Sequence, residues 1–415
     1  MKIKTKINQL AYLNKESYSK NNMPDVIEYI DIKSLTENIL SNIQILKKGI
    51  DSIPSRARRK ITDNTIIYSS VRPRNNHYGF FERPHDNMVV STGYITINAM
   101  EEKIDPYYLY CILTLPKNLE YIYKLADSAV SSYPSITPDD LGNMEVEIEE
   151  DIEEQRKIAK LFYTVDKLIF NNNKINKKSY NICSNIYNYY FNNYKCQNMS
   201  LKYDENLKRK IPDNWKVDLI KNQIYEVKSG DWGSDNYSDE LIEASCIRGA
   251  DFESVLSKNN SIPLRYINEC SFNEKRVLSG DLLVEISGGS PTQSTGRICY
   301  INNYTLKRFN NNLISSNFCK VISLNDKDNY IWFYFLWQSM YDSGVFFNFE
   351  GKTSGLKNLL FDDIINNVYI PIPSDKILND FNSKVKPIFD NIQRNINFNY
   401  HLRELKEKYY YMFLN

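Results

Sequence analysis

The sequence repeats itself once, and this constrains the fold more than any other feature. Tyr29-Ile30-Asp31-Ile32 answers Cys246-Ile247-Arg248-Gly249, and Thr62-Asp63-Asn64-Thr65-Ile66-Ile67 answers Leu278-Ser279-Gly280-Asp281-Leu282-Leu283. Val89-Val90-Ser91-Thr92-Gly93-Tyr94 answers Leu313-Ile314-Ser315-Ser316-Asn317-Phe318, and Asp139-Asp140-Leu141 answers Asp362-Asp363-Ile364. The separation drifts only from 216 residues (Thr62 to Leu278) to 224 (Val89 to Leu313). Solenoid units run to a few tens of residues, so this period describes a duplicated domain. Each copy ends in a helix-like stretch, with Val165-Asp166 answering Phe389-Asp390. Two similar surfaces in one chain call for a bipartite ligand.

The two helix-like stretches carry heptad seams. In the first, Ile158, Leu161, Val165, Leu168, Ile175, Ile182, Ile186 and Tyr189 follow three- and four-residue steps, with Asn172 and Ser179 between them. In the second, Leu378, Phe381, Val385, Ile388, Ile392, Leu402 and Tyr409 do the same around Asn395 and Asn399. Polar middles of similar length predict an antiparallel pair, each helix roughly 60 Å long. Pro387 predicts a kink, or a short helix followed by a longer one. The packing face is expected at Ile158, Leu161, Val165, Leu168 and Ile175 against Val385, Ile388, Ile392 and Leu402. Elsewhere, residues 25–100 read as short strands, and residues 106–126 as two helical pieces divided at Pro116.

Composition excludes several classes. No segment approaches the apolar length of a membrane helix, and the start, MKIKTKINQL, has no apolar core of a signal peptide. Seven cysteines without CxxC spacing and three histidines support neither a zinc cluster nor a disulfide framework; free thiols fit a reducing cytoplasm. The net charge of +1 argues against indiscriminate nucleic-acid binding. Yet Arg56, Arg58, Arg59, Lys60, Arg72 and Arg74 cluster with Asp63 as the one acid among them. A solvated face is the plain reading of such a cluster. Arginine's planar fork also suits phosphates and guanine edges.

Motifs for catalysis fail on inspection. Asp105-Pro106-Tyr107-Tyr108 resembles the adenine-gripping loop of amino-methyltransferases but lacks its second proline, and Asp105 reads more simply as a helix N-cap. Gly351-Lys352-Thr353 lacks the earlier glycine of a phosphate loop, because Phe346 stands there. Asp213 with Glu226 and Lys228 imitates a Mg²⁺-dependent nuclease core, a short pattern that chance produces often.

In order, YIDIKSL, TDNTIIYSSVRPRN, VVSTGY, SAVSSYPSITPDDL and EEQRKIAKLFYTVDKLI occupy the first half. IPDNWKV, CIRGADF, SGDLLVEISGGSP, SSNFCKVI, EGKTSGLKNLLFDDI, VYIPIPS and LRELKEKYYYMFL occupy the second. In this arrangement the chain resembles the specificity subunits of Type I restriction-modification enzymes over nearly its whole length. The resemblance implies an α+β chain of two similar target-recognition domains, each a mixed β core with flanking helices, separated by two long antiparallel coiled-coil helices. Residues 1–151 and 198–373 would be the domains; 152–197 and 374–415 would be the helices. It implies no catalysis by this chain. Its partners would be double-stranded DNA, two adenine methyltransferase subunits and two restriction subunits. S-adenosylmethionine, Mg²⁺ and ATP would belong to those partners. Two departures stand out: the prolines usual before Glu154-Gln155 are missing, and the second copy, SDKILNDF, lacks the Glu-Gln pair.

For base edges in the first half the candidates are Arg72, Arg74 and Asn75; Arg56, Arg58, Ser91 and Thr92 are expected at the backbone or nearby bases. In the second half the matching region holds Gly288, Gly289, Ser290 and Gln293, where glycines admit close approach and glutamine can pair with adenine. Ser132 and Tyr133 answer Lys352, Thr353 and Ser354 near phosphates, with Arg248 and Arg276 as further cations. Two other functions compete with DNA specificity: a Mg²⁺ nuclease built on Asp213, Glu226 and Lys228, and a protein-binding scaffold with no DNA role.

Overall fold

A computed structural model describes the chain except Lys20, residues 129–132, 196–199, 258–261, 289–292, 354–355 and Asn415, and the side chains of Lys352, Thr353 and Leu356. It divides into two compact units, Met1–Lys167 with Arg403–Asn415, and Leu168–Leu402.

The first unit is built on two four-stranded sheets, one antiparallel and one mixed. One has the strand order Ala11–Leu13, Tyr94–Ala99, Thr65–Ser69, Tyr78–Phe81, all antiparallel. The Thr65–Ser69 strand is buried throughout, which its apolar β-branched run TIIYS suits. The other sheet runs Gln44–Lys47, Val26–Ile30, Met88–Ser91, Ala57–Lys60, and its Val26–Ile30 and Met88–Ser91 strands are parallel. Two helices follow, Pro106–Leu113 and Pro116–Asp127, divided where Pro116 was expected to divide them. Asp105 caps the first, its Oδ1 accepting from Tyr108 N at 2.9 Å. Its role is structural, as the sequence suggested.

The second unit repeats this plan. Its first sheet runs Ile224–Ser229, Cys319–Leu324, Leu282–Glu285, Ile298–Tyr300, again antiparallel. Its second runs Leu264–Asn268, Leu241–Ile247, Leu313–Ser315, with the last pair parallel. Ile66 faces Ile97 as Leu282 faces Ile322, which fixes the equivalence of the two copies. One sequence correspondence shifts by a residue. Glu28 pairs with Met88 where Ser245 pairs with Leu313, so Met88, not Val89, answers Leu313. Strand side chains alternate between faces, so a one-residue slip in alignment reverses every assignment of inside and outside.

Both long helices form, Ile152–Tyr187 and Asp375–Tyr409, and each ends in a five-residue π turn, Asn188–Asn192 and Tyr410–Leu414. Pro387 does not split the helix into a short and a longer piece: it lies inside one continuous helix, on the exposed side. There the carbonyl released by the ring can turn to water. Within the second unit the helices run antiparallel. Asn172 Nδ2 donates to Asn399 Oδ1 at 2.8 Å, Asn399 Nδ2 to Asn173 Oδ1 at 2.9 Å, and Asn395 Nδ2 to Asn176 Oδ1 at 2.9 Å. Further along, Tyr190 bonds Asp380 at 2.5 Å. The polar middles therefore meet, as expected.

The buried stripe of the central helix differs from the expected one. Gln155, Ala159, Phe162, Val165, Asn176, Cys183 and Tyr187 are buried, while Ile158 and Leu161 are half-buried. Leu168 and Ile175 are exposed, 41% and 48%, as is Ile182. Apart from Val165, the expected seam lies one residue off, because it followed the aliphatic letters and the true seam is partly polar. Val385, Ile392 and Leu402 are buried and Ile388 half-buried, so the C-terminal helix keeps its expected face.

The end of the chain completes the first unit. Leu414 is buried with Phe162, Ile112 and Leu113, and Tyr410 stacks on Phe162 at 4.8 Å. Lys406 Nζ reaches both Asp166 oxygens, at 2.6 and 2.7 Å, and Tyr107 OH donates to the same carboxylate at 2.7 Å. Burial works to lower the Lys406 pKa, but Asp166 beside it prevails and holds the ammonium above the ordinary lysine range. The pair is 19% and 22% exposed. Lys406→Met leaves a mostly buried carboxylate without its cation and should destabilise the unit by about 2–4 kcal/mol, less than for a fully buried pair. Adding Asp166→Leu should recover most of the loss. Urea unfolding of the two variants measures both, and a single variant as stable as the parent would refute the assignment.

Candidate nucleic-acid interface

In the first unit, backbone hydrogen bonds stitch the candidate loops together. Arg72 N donates to Pro134 O at 2.8 Å and Ile136 N to Ser70 O at 2.9 Å. Ser70 N donates to Gly93 O at 2.8 Å, and Thr92 N to Arg56 O at 2.8 Å. Arg56, Thr92, Arg72 and Tyr133 thus come from four separate segments and lie at one edge of the sheets. The turn is unusual at its entry. Arg72 has φ 48° and Asn76 φ 56°, and Pro73–Asn75 form a 3₁₀ turn between them. Left-handed backbone at a non-glycine residue is uncommon and is held by its surroundings, here the bond to Pro134.

The candidates separate by what already holds them. Arg72, Asn75, Arg56, Arg58 and Thr92 are exposed. Arg74 is exposed too, but its Nη2 pairs with Asp127 Oδ2 at 2.8 Å and its guanidinium lies 5.1 Å over Tyr123. Ser91 is buried, and its hydroxyl accepts from Gly93 N at 3.2 Å, so it shapes the turn. Tyr133 is exposed; Ser132 lies outside the described residues.

The second unit has the same stitching. Ile286 N donates to Phe318 O at 2.9 Å and Leu359 N to Ile286 O at 2.8 Å, the counterparts of Ser70 to Gly93 and Ile136 to Ser70. Around this edge lies a cleft of about 570 Å³ lined by Trp232, Arg248, Glu285, Gly288, Gln293 and Phe318, among others. Arg248 lines it while paired with Asp251 through Nε at 2.8 Å and Nη2 at 2.9 Å. Arg276 is exposed at the end of the Glu269–Lys275 helix. Gly289, Ser290 and Ser354 lie outside the described residues, as do the side chains of Lys352 and Thr353. Sequence reasoning missed Glu285, Arg297, Asn317, Phe318 and Trp232. Its one-residue slip placed Phe318 in the strand, at the position that buried Tyr94 fills in the first unit, where the structure puts Cys319.

Asp213, Glu226 and Lys228 do not assemble a metal centre. Asp213 accepts from Ser200 and Lys228 pairs with Glu226 at 3.5 Å. Among the described residues no three of His, Cys, Asp and Glu gather for a metal. Nor is any described helix long and apolar enough to cross a membrane.

No family model matches the chain. It is similar to the Type I restriction enzyme HindI specificity subunit of Haemophilus influenzae, 28% identical over 171 residues, which is 41% of this chain and 36% of that protein. This match thus spans about a third of that relative. It is also similar to the Type I restriction enzyme MjaIX specificity subunit of Methanocaldococcus jannaschii, 25% identical over 394 residues, covering 88% of this chain and 82% of that protein. The crystal structure of a Type-I restriction-modification system S subunit from M. genitalium shares the fold, with TM-score 0.59 and 13% identity over 99% of this chain and 95% of that one. The chain thus carries a duplicated domain, each copy running into a long helix, as its likeness to that solved structure in fold also indicates. Along most of its length the chain is similar to Type I restriction enzyme specificity subunits.

If Arg72 reads a base edge, Arg72→Ala should relax one position of the recognised sequence at a cost of ~1–3 kcal/mol. Arg74→Ala should chiefly remove the contact to Asp127 and leave the sequence profile in place. Relative affinities over a panel of singly substituted duplexes separate the two outcomes.

Proposed function

We propose that each unit reads one half of a bipartite double-stranded DNA target, and that methyltransferase subunits and, in a full complex, restriction subunits dock on the chain. Chemistry with S-adenosylmethionine, Mg²⁺ and ATP is left to those partners. The carrying observation is the duplicated edge: both units stitch three loops with the same hydrogen bonds and differ in the side chains presented there. A constant frame with variable loops is what reading two different half-sequences requires. The exposed Arg56, Arg58 and Arg72 of the first unit would supply backbone contacts that position a reader on DNA.

The docking surface for a methyltransferase is proposed on the helices. Leu168, Ile175, Ile182 and Tyr189 recur every seven residues and are all exposed. A heptad stripe left open in the chain itself fits a helix from another subunit. The helices would also set the unread spacer, since four residues inserted near Asn172 add ~6 Å and about one turn.

The purified chain, combined with its adenine methyltransferase, should methylate DNA at sites of two short sequences around a fixed gap. Methylation without any sequence preference would refute the reading. Ile175→Glu with Ile182→Glu should abolish co-purification of the methyltransferase while leaving the melting temperature of the chain within a few degrees of the parent. Retained co-purification would remove this face from the interface. Mg²⁺-dependent cutting by the chain alone would instead favour the nuclease.

A further inference from the structure

We propose that the cleft of the second unit reads one base of the DNA by its exocyclic amino group, with Glu285 as the acceptor and Arg297 as the neighbouring donor. The inference rests on the DNA-reading function proposed above and names the chemistry of one of its positions.

Glu285 lies at the end of the Leu282–Glu285 strand and is 5% exposed. Its carboxylate pairs with Arg297 twice, Nε to Oε2 at 2.7 Å and Nη2 to Oε1 at 2.6 Å. The partners are also joined through the backbone, Glu285 N donating to Arg297 O at 2.9 Å. Bonds of this kind hold both groups in place before any ligand arrives. Two bare positions face the carboxylate. A Cβ at Gly249 would collide with Glu285 Oε1, and one at Gly288 would sit 3.5 Å from it. The same oxygen therefore borders the cleft with no side chain laid across it from either side.

The rim supplies apolar faces and polar atoms. Phe318 is 55% exposed, and Trp232 also lines the cleft, with Arg265 stacked 3.8 Å over its ring. Ser287, Ser316 and Asn317 are among the polar residues of the lining. The volume, about 570 Å³, lies within the range of small-ligand pockets and accommodates a single base. Among the described residues Glu285 is the one carboxylate of the lining, and its oxygens can accept from an amino group on a base.

Donor and acceptor logic then narrows the base. A carboxylate only accepts, and adenine N6 and cytosine N4 are the amino donors on the major-groove edge. Thymine and guanine turn a carbonyl oxygen to the same place and would be repelled. Arg297 beside the carboxylate can donate to adenine N7, or to O6 of the guanine paired with a cytosine. In the first unit Ser69 stands where Glu285 does, facing Tyr94 as Glu285 faces Cys319. There the Ile32 side chain packs against Gly93, so close that a Cβ on the glycine would overlap it. The acidic cleft is thus a feature of the second copy and not of the shared frame.

The competing view is that Glu285 and Arg297 only brace their strands. The full chain with its methyltransferase, S-adenosylmethionine and a duplex library randomised in both half-sites decides between them. The wild type should require adenine or cytosine on one strand at one position. Glu285→Gln, whose amide both donates and accepts, should cut that discrimination roughly tenfold or more and leave the other half-site unchanged. Phe318→Ala, on the surface, should weaken the preference at the same position with the melting temperature intact. Wild-type profiles in both variants would overturn the inference, as would changes spread over both half-sites. Loss of melting temperature in Glu285→Gln with unchanged profiles in both variants would establish the bracing role. If the wild type itself shows no sequence preference, the DNA-reading function fails first, and the inference with it.

Discussion

The organisation of this chain depends on the contact of Lys406 with Asp166. An ammonium and a carboxylate, both largely withdrawn from water, are stable together because Tyr107 supplies a further hydrogen bond and neither charge is left alone. This cluster fastens the last dozen residues onto a unit that otherwise ends at Lys167. The first domain is therefore discontinuous in sequence. Its core includes Leu414, with Tyr410 and Phe413 packed against it.

The helix pair within the second unit uses a different chemistry at its centre. Asn172, Asn173 and Asn176 meet Asn399 and Asn395 through side-chain amides, where an aliphatic seam would have given more burial. Each amide bond contributes only about 1 kcal/mol net, but a slipped register would leave buried amides unpaired at about 1–3 kcal/mol each. The polar layer thus discriminates among registers more than it stabilises. Below it, Phe381, Val385, Phe389 and Ile392 pack with Cys183, Tyr187 and Tyr190 in the main core of the unit, which supplies the stability.

Much of this was legible from residues alone. The repeat announced two domains because strand pairing, helix starts and the Asp-Asp-hydrophobic turn are set by local patterns that duplication preserves. The first unit has Asp139-Asp140-Leu141 in a capped helix, the second Asp362-Asp363-Ile364, with Leu141 and Ile364 buried alike. Pro116 and Asp105 acted as their chemistry dictates. Two readings slipped by one residue, for related reasons. The helix seam was drawn through aliphatic letters, but Gln155 and Asn176 are buried because hydrogen bonds satisfy them. Gln155 accepts from Asp105 N and donates to Glu149 O, and in the second copy Leu378 stands in its place without any polar duty. The strand correspondence slipped because Val89-Val90-Ser91 and Leu313-Ile314-Ser315 are interchangeable by hydrophobicity, and only the ladder register distinguishes them. Glu285 and Arg297 escaped notice because no spacing links them; hydrogen bonding between neighbouring strands brings them together.

The divergence of the two copies follows from where the duplicated frame leaves its residues free. Positions inside the sheets must remain apolar, and Ile66, Ile67, Leu282 and Leu283 are accordingly fully buried. At the sheet edge the backbone bonds among the three loops are made whatever the side chains are. Ser69 can become Glu285, and Ile32 can become Gly249, without disturbing a single one of those bonds. Such positions can change recognition without a large cost in folding, since the stability of the frame does not pass through them. A duplicated reader whose edges are uncoupled from its core can acquire a different chemistry in each half. In this chain the first edge presents arginines around a strained turn, and the second presents a paired carboxylate in a cleft.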